Sequence, residues 1–222
     1  PLEVKEAEIG ELQGLSLKNV SVTVGGGKKP LYADFGEMLF THFGLSGPLI
    51  LSASSHMRNM SDGRYSVLVD LKPSLDEKTL DTRLLSDFEK HINKNLDNAL
   101  CDLLPSKLIV PFIKMCNLSV TDKPNSITKE QRRQMVQTLK SMRFDVSGFR
   151  PVSEAIITSG GVSTKDINPS TMMSKIVNNL YFAGEVIDVD AYTGGFNLQI
   201  AFSTGALAGY NMANTDKNTE EY

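Results

Sequence analysis

The hydrophobic period changes twice along the chain, and each change sets a different kind of structure. From Leu15 to Val24 apolar and polar residues alternate, the period-2 pattern of a half-buried strand. Gly25-Gly26-Gly27-Lys28-Lys29-Pro30 reads as a hairpin turn, and Leu31 to Phe40 returns the chain as a second strand. Tyr65 to Leu71 is a further strand candidate. Between them, Ser46-Gly47-Pro48 opens a helix over Leu49 to Met57, with Ser46 as N-cap and Pro48 just inside the start.

From Ser74 to Ser141 the period becomes helical. Leu80, Leu84, Phe88 and Ile92 recur every four residues, placing them on one helix face. Ser74 with Glu77 and Thr128 with Gln131 have capping-box spacing, and Pro105-Ser106 breaks and restarts a helix between them. This stretch reads as a small helical insert without ligand character, in which His91 lies on a polar, solvated face. Cys101 and Cys116 lack CxxC spacing and read as buried free thiols, which fits a reducing, cytoplasmic compartment. His42, His56 and His91 lack metal-ligand spacing, so no metal is expected.

Composition narrows the partners. A net charge of −3 over 222 residues gives no field for capturing a polyanion, so no nucleic acid is expected. No apolar run reaches the ~18 residues of a membrane span, and the N-terminus, which opens with Pro1, lacks the regions of a signal peptide. A soluble protein is the expectation.

From Met142 onward the glycine pattern carries the chemistry. Phe144 to Val146 and Ala155 to Thr158 look like strands. Leu180-Tyr181-Phe182-Ala183 reads as a short apolar strand ending at Gly184-Glu185. A loop through Asp188, Asp190 and Tyr192 then leads to Gly194-Gly195, which opens a helix through Phe196, Asn197 and Leu198. Ala183 and Gly184 let a ligand approach the backbone, and Glu185 can accept hydrogen bonds from hydroxyls. Free amides at the helix start favour an electron-rich or anionic group, the dipole adding roughly 0.3–1 kcal/mol. Ala201, Gly205 and Gly209 form a flat stripe; each helical glycine costs about 1 kcal/mol relative to alanine, so close approach of another backbone, absent from this chain, is expected. The same residues also suit an α/β turn that binds nothing.

Leu180 to Ala201, together with Phe40-Thr41-His42-Phe43-Gly44-Leu45-Ser46-Gly47-Pro48 and Thr158-Ser159-Gly160-Gly161-Val162, resembles the HI0933-like (BaiN-type) NAD(P)/FAD-dependent oxidoreductases. Order and spacing fit from about Gly14 to Ala213. The resemblance implies an α+β chain. A β-rich, barrel-like domain carries a helical insert and is followed by the C-terminal strand–helix piece of a two-dinucleotide-binding-type FAD domain. It gives boundaries of 1–73 and 142–162 for the β-rich domain, 74–141 for the insert and 163–213 for the FAD-domain piece, with a frayed polar tail at 214–222. It also implies FAD as cofactor, NAD(P)H as a possible reductant and a small organic substrate. Gly184 and Glu185 would lie at the ribityl and pyrophosphate region. Gly194, Gly195, Phe196, Asn197 and Leu198 would face the pyrimidine edge of the ring, and Gly160, Gly161 and Val162 would cross beside it.

Family members begin with a strand, a Gly-x-Gly-x-x-Gly turn and a helix that hold the FAD pyrophosphate. None of these occurs here. The missing N-terminal FAD-domain segment is therefore the expected partner, and this chain alone is expected to be inactive. His42 reads as a proton donor or as a histidine bonded within a turn; Asp188 and Asp190 read as flavin neighbours or loop carboxylates. No residue is assigned as catalytic acid or base. A flavin-dependent tRNA-modification factor and a non-catalytic interaction module are the alternative readings.

Overall fold

The computed structural model describes residues 1–25, 29–58, 60 and 64–219, without side-chain description at 7 and 215–219. It divides into two compact units, Pro1–Arg150 and Pro151–Tyr222.

The first unit is a closed antiparallel barrel. Its strands are β1 (Leu2–Val4), β2 (Ser16–Gly25), β3 (Tyr32–Phe40), β4 (Gly44–Ser46), β5 (Ser66–Asp70) and β6 (Met142–Phe149), joined in the order β1-β4-β3-β2-β5-β6. The alternation read in the sequence sets the register: Val20, Val22 and Val24 point inward from β2, Val67 and Val69 from β5, and Met142, Phe144 and Val146 from β6. The Phe40 and Phe144 rings meet edge-on at 5.7 Å inside. Val24 pairs with Tyr32 across the hairpin; residues 26–28 of its glycine turn lie outside the described residues.

The motif Phe40 to Pro48 closes this barrel. Gly44 has φ +153, and a Cβ there would sit 2.2 Å from the Leu2 carbonyl oxygen. Only glycine lets β4 come this close to β1. Thr41 folds back onto the Gly44 carbonyl through its amide (2.8 Å) and hydroxyl (3.0 Å). His42 is exposed at the tip, edge-on to Phe43, rather than enclosed in the turn. Helix α1 (Pro48–Ser55) follows, but its N-cap is Gly47, since Ser46 stays in β4.

Four helices connect β5 to β6: α2 (Glu77–Lys90), α3 (Leu96–Ala99), α4 (Ser106–Met115) and α5 (Lys129–Lys140). Leu80, Leu84 and Phe88 from α2, Phe112 from α4 and Leu139 from α5 share one continuous core with the barrel interior. The capping box at Thr128 and Gln131 forms as read. The one read at Ser74 does not: the Leu75 amide turns back to Lys72, and Asp76 caps α2 by accepting from the Thr79 amide. Cys116 is buried at the end of α4, whereas Cys101 lies exposed in the α3–α4 turn, a correction to the expectation of two buried thiols. His91 is also corrected. It follows the last turn of α2 with its side chain only 16% exposed.

The second unit has little regular structure before its long helix, α6 (Phe196–Thr219). Ala155 to Thr158 forms no strand: Val152–Glu154 is a 3-10 turn, and Ile156 is 65% exposed. Leu180–Ala183 contributes a single antiparallel bridge, Met173 to Tyr181, instead of a strand. Of the frayed tail read at 214–222, the backbone of 214–219 continues α6, and 220–222 lie outside the described residues. Ile167, Met172, Ile187 and Ala208 form this unit's own small core. Among the described residues, no helix is long and apolar enough to cross a membrane.

Candidate functional site

Three backbone segments of the second unit are locked together at its glycine-rich turns. Val162 donates to the Val186 carbonyl at 2.8 Å and accepts from the Asp188 amide at 2.9 Å, forming a parallel bridge with Ile187. Gly161 makes this contact possible. With φ +144, a Cβ there would lie 2.5 Å from the Val186 oxygen, inside van der Waals contact with backbone. Gly160, by contrast, faces open space. The segment 160–162 therefore runs beside the 3-10 turn Gly184–Val186 that carries Glu185.

That turn is fastened to α6. The Gly184 amide donates to the Thr204 hydroxyl at 3.0 Å, and Thr204 donates to the Ile200 carbonyl one turn earlier at 2.7 Å. A Cβ on Gly184 would meet the Ala201 methyl at 3.7 Å. Ala201 thus packs against this chain's own turn, while Gly205 and Gly209 of the same stripe have nothing within 4 Å of their Cβ positions. Thr204 was missed in the sequence. The available signal was its place three residues after Ala201, on the helix face that meets Gly184.

The loop before α6 is closed by Asn197. Its side-chain oxygen accepts from the Ala191 amide and its side-chain nitrogen donates to the Ala191 carbonyl, both at 2.8 Å. With its side-chain oxygen and nitrogen both bonded to Ala191, Asn197 positions backbone. Ser159 reaches Asp190 at 3.3 Å, and Glu185, Asp188 and Asp190 are exposed.

The first helix-forming bond of α6 runs from the Gln199 amide to the Gly195 carbonyl at 3.0 Å. Ahead of it, the amides of Gly195, Phe196, Asn197 and Leu198 have no acceptor among the described residues, as the first turn of a helix requires. Gly194, Gly195, Phe196 and Leu198 are exposed. A Cβ on Gly195 would enter open space, so the backbone is accessible from that side. Unpaired amides at the positive end of a 24-residue helix form a donor set for an electron-rich edge. Phe196 and Leu198 beside them, 59% and 63% exposed, supply apolar surface for a flat ring. Such a set would suit the edge of a flavin: backbone donors from 195–198, with the turn that carries Gly184 and Glu185 fastened to the same helix at Thr204. No side chain among them is placed as an acid or base.

Residues 1–157 match the HI0933-like protein barrel and H2TH domain, a span covering the whole barrel and its helical insert. The chain is similar to the ribosomal RNA dihydrouridine synthase of Escherichia coli, with 34% identity over 76% of this chain and 40% of that protein. It is similar to the enzyme of the same name from Haemophilus influenzae, with 33% identity over 87% of this chain and 45% of that one. A 3-dehydro-bile acid delta(4,6)-reductase from Clostridium scindens is 28% identical over 82% of this chain and 45% of its own length. The chain spans less than half the length of these relatives. With a family match over both barrel and insert, this chain belongs to the HI0933-like family.

Proposed function

We propose that this chain forms the ring-edge half of an FAD site in an oxidoreductase reduced by NAD(P)H, whose other half is an N-terminal dinucleotide-binding segment. The observation that carries the reading is the run of unpaired, exposed amides at the start of α6, held in place by Asn197 and by the Gly184–Thr204 bond. When bound, FAD would accept a hydride from the nicotinamide and deliver it to the substrate. The chain's part is positional and electrostatic. Amides of Gly195 to Leu198 would stabilise negative charge at the pyrimidine edge, Glu185 would accept hydrogen bonds from ribityl or ribose hydroxyls, and Phe196 and Leu198 would exclude water from the ring. The apolar face of α6, with Phe202 and Tyr210 about 70% exposed, supports docking of the N-terminal segment there.

The expected acceptor is a small organic molecule with an activated double bond, as the name of the bile-acid reductase relative suggests. Hydride and a solvent proton would saturate that bond, leaving NAD(P)⁺. A second reading, uridine within ribosomal RNA, is favoured by the names of two relatives against the low net charge of −3; "dihydrouridine" denotes the same addition of two hydrogens.

The test is purification of the full-length protein. Yellow protein bleached by NADH or NADPH supports the redox reading; colourless protein that takes up no FAD overturns it. Dihydrouridine content of ribosomal RNA, compared with and without the gene, separates the two acceptors.

A further inference from the structure

The helical insert brings together three metal-ligating side chains that sequence spacing keeps apart. His91 follows the last turn of α2, and Cys101 and Asp102 sit in the turn before α4. One ligand atom from each lies within 4.8 Å of the other two. The Asp102 carboxylate is 3.8 Å from His91 Nε2, too far for a hydrogen bond, and the Cys101 sulfur is 3.9 Å from the Asp102 carboxylate.

A second observation concerns the imidazole itself. Both ring nitrogens of His91 are shielded from solvent, and neither has a hydrogen-bond partner. A buried polar atom left unpaired is a standing cost to the fold, so a histidine with two such atoms needs compensation. A cation at the cluster supplies it for one nitrogen by direct ligation.

We propose that His91, Cys101 and Asp102 form a three-ligand site for a late transition-metal dication of the Zn²⁺ class. The donor set selects the ion: imidazole nitrogen and thiolate sulfur favour Zn²⁺ and its neighbours over Mg²⁺ or Ca²⁺. In a tetrahedral site the ligand atoms stand about 3.3–3.7 Å apart, so the distances of 3.8 and 3.9 Å need to shorten only slightly and the third, no more than 4.8 Å, by at most about 1.5 Å. Cys101 and Asp102 are exposed and free to make that movement, and their exposure leaves the fourth position to water. Arg83 does not compete. Arg83 is held by the buried Asp87 carboxylate at 2.8 Å and by the Asp102 backbone carbonyl at 3.3 Å, which fixes the turn while leaving the Asp102 carboxylate available. The ion would clip the end of α2 to the α3–α4 turn, at a distance in sequence from every residue of the proposed flavin site.

The experiment is titration of this chain with Co²⁺ and Zn²⁺ under reducing conditions. One equivalent of Co²⁺ is expected to give a thiolate-to-cobalt charge-transfer band that Zn²⁺ displaces, and Zn²⁺ is expected to raise the thermal midpoint by mass action. Cys101→Ser, an exposed and fold-neutral change, should abolish the band. Asp102→Asn should weaken binding at least ~10-fold, the loss that even outer-shell changes produce. His91→Gln, checked for intact fold by circular dichroism, should do the same. Absence of the band, a band that survives Cys101→Ser, or Zn²⁺ binding only as a bridge between two copies of the chain overturns the proposal. None of these readouts depends on flavin.

Discussion

Asn197 and Ala191 exchange two hydrogen bonds, both 2.8 Å long, so that a side chain in the first turn of α6 mimics a backbone partner for the loop before it. The helix start and the loop therefore move as one piece, and the open amides of 195–198 are held in a defined direction. Replacing Asn197 with Leu keeps the branched shape and removes both bonds. The partly buried Ala191 amide and carbonyl lose their partners, at about 1–2 kcal/mol. Hydrogen exchange at the Ala191 amide should accelerate roughly tenfold, since 1.4 kcal/mol is a factor of ten. If the proposed flavin site is right, FAD affinity should fall with it. Unchanged exchange at Ala191 would show that the loop is held by something else.

Gly160 and Gly161 separate backbone conformation from close contact. Both have positive φ, +106 and +144, but only Gly161 would press a Cβ against the Val186 backbone. Alanine at either position carries strain of order 1–3 kcal/mol; at Gly161 it must also push the 186–188 segment away and break the Val162–Ile187 bridge. Gly161→Ala should therefore destabilise the second unit clearly more than Gly160→Ala, measured by exchange at the Val162 and Asp188 amides. Equal effects would mean that the contact adds nothing beyond φ.

The two helix caps show how far local spacing can be read. Thr128 and Gln131 form the capping box that their spacing announces, the Thr128 hydroxyl accepting from the Gln131 amide and the Gln131 side chain from the Thr128 amide. Ser74 and Glu77 have equivalent spacing, yet the Leu75–Lys72 turn delays the helix by two residues and gives the cap to Asp76. Thr128→Ala should cost about 1 kcal/mol and lower the thermal midpoint by about 2–4 °C, whereas Ser74→Ala should be neutral. A loss of midpoint at Ser74 would contradict the cap assignment. Asp76 is fully exposed, and its carboxyl is held below the usual range by its bond to the Thr79 amide. Its capping contribution is present above the ordinary carboxylate pKa and is lost as pH falls through the lower folded value.

The barrel was legible because inward residues alternate along β2, β5 and β6, and the helical insert because Leu80, Leu84 and Phe88 repeat at helical period on a buried face. The strands at Ala155–Thr158 and Leu180–Ala183 were misread. Short apolar runs resemble strands whether or not a partner lies beside them, and among the described residues these runs find at most one bridge. In the site, the glycines were visible because positive φ and close approach restrict residue type. Thr204 and Ala191 were not, since a hydroxyl and a backbone amide acquire their roles only when α6 folds back onto the 184 turn. His91, Cys101 and Asp102 were hidden for a similar reason: ligand spacing in sequence describes one helix or one knuckle, and this cluster joins a helix end to a separate turn.

The two thiols should differ sharply in reactivity. Burial pushes the Cys116 thiol up to about 11, against a smaller opposing pull from its hydrogen bond with Thr138, while Cys101 is exposed. The thiolate is the reacting species, and at pH 8 a thiol at about 11 is ionised in roughly one molecule per thousand. A disulfide reagent at pH 8 should therefore label Cys101 promptly and Cys116 only on unfolding. The linkage has a definite sign. The folded chain keeps its Cys116 proton where an unfolded thiol, near 8.5, loses it, so stability from this group is intact below about pH 8.5 and declines as pH rises towards 11. Cys116→Ala should flatten that decline, and Zn²⁺ should slow labelling of Cys101 alone. Two thiols reacting together in the native chain at pH 8 would contradict the burial of Cys116.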